Sequence, residues 1–94
     1  MKAKRVDTNQ KEIVEAFRSL GCSVFITSMV GKGFPDIVVG FRGKNYLFEI
    51  KDGNKFKSQQ RLTEPELLFF RDWVGQCAII DSVDQVIYFI NNMT

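Results

Sequence analysis

Three ionisable residues interrupt two apolar runs in the middle of this chain. Asp36 lies in PDIVVGF (residues 35–41), and Glu49 and Lys51 lie in YLFEIK (residues 46–51). Two carboxylates bind a hard divalent cation through oxygen, Mg²⁺ above all, because it needs few protein ligands and keeps its waters. Such a cation polarises a phosphate oxygen and acidifies water; a neighbouring ammonium positions or deprotonates that water, or stabilises charge on the phosphorane. The plainer alternative is a cross-strand salt bridge between Asp36 and Lys51, with Glu49 solvated.

The elements that must position these groups are readable around them. A Gly-first two-residue turn at Gly43-Lys44 makes the two runs a hairpin. That pairing sets Arg42 opposite Asn45, Phe41 opposite Tyr46, Val38 opposite Glu49 and Asp36 opposite Lys51. Directly opposed and alternate residues share a face, so Asp36, Glu49 and Lys51 project together from one end of the hairpin. Asp36 would stand about 5 Å from Lys51 and roughly 7–8 Å from Glu49. Ile37, Val39, Phe41, Tyr46, Phe48 and Ile50 take the opposite face.

Before the hairpin, Ile13, Val14, Phe17 and Leu20 recur at helical spacing in a segment from Asp7 to Leu20. Asp7 with Gln10 resembles a capping box, and Gly21 is a natural stop. Val24–Thr27 reads as a strand and MVGKGF (29–34) as a glycine-punctuated loop. After the hairpin, Thr63, Pro65 and Glu66 open a second helix that runs to about Val74. Leu67, Phe69, Phe70, Trp73 and Val74 form its wide apolar arc, with Leu68 outside it. Cys77–Ile80 is a last strand. Ser82 caps a third helix from Val83 to about Asn91, with Val86, Ile87 and Ile90 as its stripe. The order αβββαβα predicts one α/β sandwich domain over residues 1–94.

Composition narrows the chemistry. The chain has no histidine, which excludes His-based zinc sites, Ser-His-Asp triads and histidine general bases. Cys22 and Cys77 each adjoin apolar residues and read as buried free thiols, neither having a base to activate it. The N-terminal MKAKRVDTNQ lacks the apolar stretch of a signal peptide and no run approaches a membrane span, so a cytoplasmic protein without membrane partners is expected. The net charge is only +2, but it is unevenly spread. Residues 32–61 carry seven Lys/Arg against three acids, and residues 62–94 carry one against five. That asymmetry suggests one polyanion-facing surface, though a solvated lysine-rich face would look the same.

Pro35-Asp36, twelve residues, then Glu49-Ile50-Lys51 resembles the PD-(D/E)xK nuclease motif in type, order and spacing. More narrowly, the chain resembles the virus-type replication-repair nuclease (VRR-NUC) family in its small stand-alone phage form. The likeness runs through DTNQKEIV (7–14), GKGFPDIVVG (31–40), FEIKDG (48–53), Leu62-Thr63 and Trp73 before a strand and short helix.

The resemblance implies a restriction-endonuclease-like αβββαβα fold with a central mixed sheet, and Mg²⁺- or Mn²⁺-dependent DNA cleavage. Asp36, Glu49 and the Ile50 carbonyl would hold the metal, and Lys51 would serve the attacking water. The family also places an acid on the first helix near the site. Helical register favours Gln10, on the stripe of Ile13, Val14 and Phe17, over Glu12, which falls with Glu15 and Ser19. Gln10 would be a neutral ligand, a capping partner of Asp7, or both. Glu66 falls inside the apolar arc where relatives tend to carry glutamine; it would orient Lys51 or a metal water, or cap its helix.

Lys32 beside Gly31 and Gly33 would hold a phosphate, and Lys55, Lys57, Ser58 and Arg61 would track the backbone. No base-reading module is present, so recognition of DNA shape is expected. Small phage members of the family behave as dimers, which suits symmetric cutting of a four-way junction in a host cytoplasm. A nuclease for ordinary duplex or flap DNA is an alternative with the same residues. A non-catalytic DNA-binding module that kept the fold is the second, favoured only by the amide of Gln10.

Overall fold

The computed structural model describes residues 8–53 and 61–92. Its elements are α1 (Gln10–Ser19), β1 (Ser23–Ile26), β2 (Ile37–Phe41), β3 (Lys44–Ile50), α2 (Glu64–Asp72), β4 (Cys77–Ile80) and α3 (Val83–Asn92). The order matches the sequence reading, αβββαβα. The four strands form one sheet in the order β1-β2-β3-β4. The β1–β2 and β2–β3 pairs are antiparallel and β3–β4 is parallel, giving the expected mixed sheet. A parallel neighbour cannot follow a tight turn, and the crossover from β3 to β4 carries α2.

One sheet face and two helices make the core. Ile13, Val14 and Phe17 of α1 and Val86 of α3 are buried with Ile37, Val39, Phe48, Ile50 and Ile80 of the sheet. Phe48 sits between rings from both helices, 5.2 Å from Phe17 and 4.8 Å from Phe89. Ile87 of the expected α3 stripe is instead 43% exposed. Ser82 caps α3 as expected, its Oγ accepting from the Gln85 N–H at 3.2 Å.

The hairpin turns one residue earlier than expected. Phe41 pairs with Lys44 and Ile37 with Phe48, so the turn is Arg42-Gly43. Both turn residues are left-handed, Arg42 at φ 52° and Gly43 at φ 77°, as a type I′ turn demands. The matching right-handed strand twist prevails over arginine's preference for negative φ, assisted by its guanidinium 5.0 Å from the Phe41 ring. The partner of every β2 residue therefore moves by two positions. An even shift leaves each side chain on its expected face, but Asp36 now lines up beside Glu49 rather than Lys51.

Two helix ends also differ. α1 begins at Gln10 after Asn9, so Gln10 is the first helical residue rather than the N3 partner of a capping box. Asp7 lies outside the described residues. Asn9 is committed elsewhere: its Nδ2 donates to the Lys51 and Asp81 carbonyls, both at 3.0 Å. α2 ends at Asp72, and its apolar arc is largely uncovered, with Leu67 55%, Trp73 44% and Val74 102% exposed. The one buried α2 residue is Glu66, because α2 meets the sheet at its polar end and not across its apolar face.

Candidate active site

Asp36 is fixed by its backbone and side chain together. Its N–H donates to the Phe48 carbonyl at 3.0 Å and its carbonyl accepts from Thr27 N–H at 2.7 Å. These bonds continue the sheet ladder one residue past β2. Its carboxylate Oδ2 accepts from the Ile50 N–H at 2.8 Å, which turns the side chain toward the end of β3. Lys51 continues β3 in the same way, its N–H donating to the Ile80 carbonyl at 3.0 Å. Strand pairing thus places all three motif residues, and local side-chain preference has little say.

All three are buried: Asp36 is 3% exposed, Glu49 1% and Lys51 8%. The Lys51 ammonium lies 3.0 Å from Glu66 Oε1 and 3.6 Å from Glu49 Oε2. The lysine therefore bridges β3 to α2, in place of the simple Asp36–Lys51 pair that the expected register suggested. Glu66 does both things the sequence left open. Its Oε1 accepts from Lys51 Nζ and also from the Thr63 N–H at 2.8 Å, while the Thr63 hydroxyl accepts from the Glu66 N–H. Burial favours the protonated acid, but the Thr63 amide, Glu49 and the Lys51 ammonium outweigh it and bring the pKa down to about 2.

Gln10 is buried on the inner face of α1, and Glu12 is exposed. The Gln10 Oε1 accepts from the Ser28 hydroxyl at 3.0 Å, and that hydroxyl is 3.5 Å from the Asp36 carbonyl. A chain of contacts thus joins the first helix to Asp36. Thr27 supports the same strand end, its hydroxyl donating to the Pro35 carbonyl at 2.7 Å. Asn9, Thr27 and Ser28 were not singled out from the sequence. Their one signal is polarity at positions flanking apolar runs, which countless loop residues share.

The glycine loop reaches the same place. Gly31, Lys32 and Gly33 are all left-handed, at φ 77°, 57° and 80°. A Cβ on Gly33 would lie 2.2 Å from the Pro65 carbonyl oxygen, so only glycine lets the loop rest on the first turn of α2. Lys32 and Arg61 are exposed, while Lys55, Lys57 and Ser58 lie outside the described residues.

Asp36, Glu49 and Glu66 are three buried carboxyl groups, and Lys51 is the one buried ammonium among the described residues. Such an excess of acid fits an additional cation. Among the described residues, no group of three or more His, Cys, Asp or Glu is arranged to hold a metal. The residues that could hold one are the Asp36 and Glu49 carboxylates and the Ile50 carbonyl, with Gln10 joined to the Asp36 carbonyl through the Ser28 hydroxyl. Oxygen-only donors few in number suit Mg²⁺ or Mn²⁺, which keep waters of their own. Cys22 and Cys77 are free thiols, Cys22 buried as expected and Cys77 only half-buried; burial pushes both thiols up, Cys77 to about 11 with the Glu49 charge adding to it, which disfavours the thiolate. No helix of the described residues is long and apolar enough to cross a membrane.

A solved structure described as a VRR_NUC domain superposes on this chain with a TM-score of 0.61. The two are 31% identical over 90% of this chain and 92% of that one. No family model matches the chain, and no curated protein matches it significantly.

Proposed function

The chain belongs to the VRR-NUC family, and on that footing we propose that it is a nuclease domain that hydrolyses DNA as a Mg²⁺- or Mn²⁺-dependent endonuclease selective for branched structures, four-way junctions above all. The observation that carries this reading is the burial of Asp36, Glu49 and Lys51 together at one end of the sheet, with Glu66 on the ammonium. Charged groups this deeply buried are costly, and a purely structural role is better filled by apolar residues.

In this reading Asp36, Glu49 and the Ile50 carbonyl hold the ion, with the Gln10 amide as a neutral neighbour. A divalent cation bound there supplies Lewis acidity toward a phosphate oxygen and toward water. Lys51 orients the attacking water and stabilises charge developing on the phosphate. Glu66 holds the lysine ammonium in place, and Asn9 fixes its backbone carbonyl. Lys32, Lys55, Lys57, Ser58 and Arg61 contact phosphates and read no base edge.

Two-fold symmetry would present two such sites to the paired strands of a junction. Phe25 at 73% and Val74 at 102% exposure offer apolar surface for a homodimer. As a phage-type enzyme it would act in the host cytoplasm. The non-catalytic module is favoured only by Gln10, an amide whose oxygen already takes the Ser28 hydroxyl.

The test compares a labelled four-way junction with a linear duplex of matched sequence, in Mg²⁺ and in Mn²⁺. Paired nicks in the junction, reduced by a factor on the order of 10²–10⁴ in Lys51→Ala, are expected. Equal cutting of both DNAs would remove junction selectivity and leave the nuclease. DNA binding with no cutting in either metal would favour the non-catalytic module.

A further inference from the structure

Beside the site, α2 and the glycine loop enclose a groove of about 530 Å³ lined by Lys32, Glu64, Pro65, Leu68, Phe69, Asp72 and Trp73. Its aromatic wall is built in depth. Phe34 meets Phe69 edge-on at 5.3 Å, and Phe69 stacks on Trp73 at 5.1 Å with the rings 18° apart. The indole remains 44% exposed. We propose that this groove takes an unpaired nucleobase of the DNA substrate, against the Phe69–Trp73 wall, with the phosphate of that nucleotide on Lys32. The proposal rests on the nuclease reading and adds to it a subsite for one unpaired base beside the branch point, which a flap carries and a junction supplies where its centre opens.

Charge and continuity select this occupant. A duplex presents a row of phosphates and needs several cations, whereas this groove offers one ammonium and two carboxylates. An unpaired nucleotide has complementary parts: a flat apolar face for the rings, exocyclic amino groups to donate to Glu64 or Asp72, and one phosphate for Lys32. Both Asp72 carboxylate oxygens already accept from Arg71, Oδ1 from Nε at 2.8 Å and Oδ2 from Nη2 at 3.1 Å, which leaves the Glu64 carboxylate as the principal acceptor. The groove adjoins the candidate site along the chain: its lining residue Pro65 immediately precedes Glu66, which holds Lys51. Lys32 keeps a left-handed backbone that a lysine rarely adopts, the kind of strain that collects at ligand-binding loops.

Trp73 is the sole tryptophan, so its emission reports on the groove directly. The protein is titrated without divalent metal against three DNAs: a full duplex, the same duplex with a three-nucleotide flap, and that flap with abasic sites. Emission should be quenched strongly by the base-bearing flap, and weakly by the duplex and the abasic flap. Trp73→Ala and Lys32→Ala should each weaken binding of the base-bearing flap about tenfold, and Trp73→Phe, which keeps the ring stack, should hold it within about threefold. Equal quenching by base-bearing and abasic flaps would overturn the proposal. So would quenching by the base-bearing flap that disappears as the protein is concentrated, since a second copy would then fill the groove. A protein that cuts flapped DNA with Trp73 unquenched would refute this subsite and leave the nuclease reading intact. Neither binding nor cutting of any DNA would refute both.

Discussion

Replacing Glu66 by glutamine isolates the charge that holds Lys51. The glutamine amide oxygen can still accept from Thr63 N–H and Lys51 Nζ, the two donors now at 2.8 and 3.0 Å from Oε1. What disappears is the negative charge. Burial alone would raise the Glu66 pKa, yet the Thr63 amide, Glu49 and Lys51 bring it from 4.5 to about 2. A carboxyl whose folded pKa is depressed stabilises the fold above its unfolded pKa, and loses that contribution as pH falls through the folded value. The drop corresponds to about 3 kcal/mol, present in full above roughly pH 5 and gone near pH 2. Urea unfolding of wild type and Glu66→Gln, followed by circular dichroism, should show the variant less stable by about 2–3 kcal/mol at pH 7. The gap should close steadily between about pH 4.5 and pH 2. A gap that persists unchanged at low pH, or no gap at pH 7, would refute the assignment of a charged Glu66 on Lys51.

Gly33→Ala sets a Cβ 2.2 Å from the Pro65 oxygen at a φ of 80°, and should cost about 1–3 kcal/mol, visible as a lower melting temperature. Because the loop and α2 must separate, cleavage should fall as well, and restoring glycine is the control. Arg42→Asn places a residue tolerant of left-handed backbone in the type I′ turn and should raise the melting temperature by a few degrees, worth about 0.5–1 kcal/mol. Asn9→Ala removes two hydrogen bonds, to the Lys51 and Asp81 carbonyls, and should destabilise by about 2 kcal/mol in chemical denaturation. It should also slow cleavage more than it weakens DNA binding, since the Asn9 side chain is buried and positions the Lys51 backbone.

Much of this arrangement is legible in the residues themselves. β4 falls on Cys77–Ile80 as read, because a short apolar run between Gly75 and Ser82 leaves little choice. The start of α2 follows from Thr63, Pro65 and Glu66, whose capping chemistry is local. The hairpin turn was misplaced because Gly43 fits either a Gly-first or a Gly-second turn, and strand twist decides between them. The shared face of Asp36, Glu49 and Lys51 survived that error because strand faces alternate with a period of two. The apolar arc of α2 carried a helical signal but no information about what it packs against. Its exposure depends on the crossover path, which is a tertiary property. The polar frame of Asn9, Thr27 and Ser28 is invisible in sequence for the same reason: its bonds join different elements, across 8 positions for Thr27–Pro35 and 72 for Asn9–Asp81.

The central claim is that Asp36 and Glu49 hold a divalent metal beside Lys51. Electron paramagnetic resonance of free Mn²⁺ during titration into wild type and Asp36→Asn tests it most directly. Wild type should remove Mn²⁺ from solution with saturable stoichiometry, and the folded Asp36→Asn variant should remove little or none. Equal uptake by the two proteins, or none by wild type, would contradict the account.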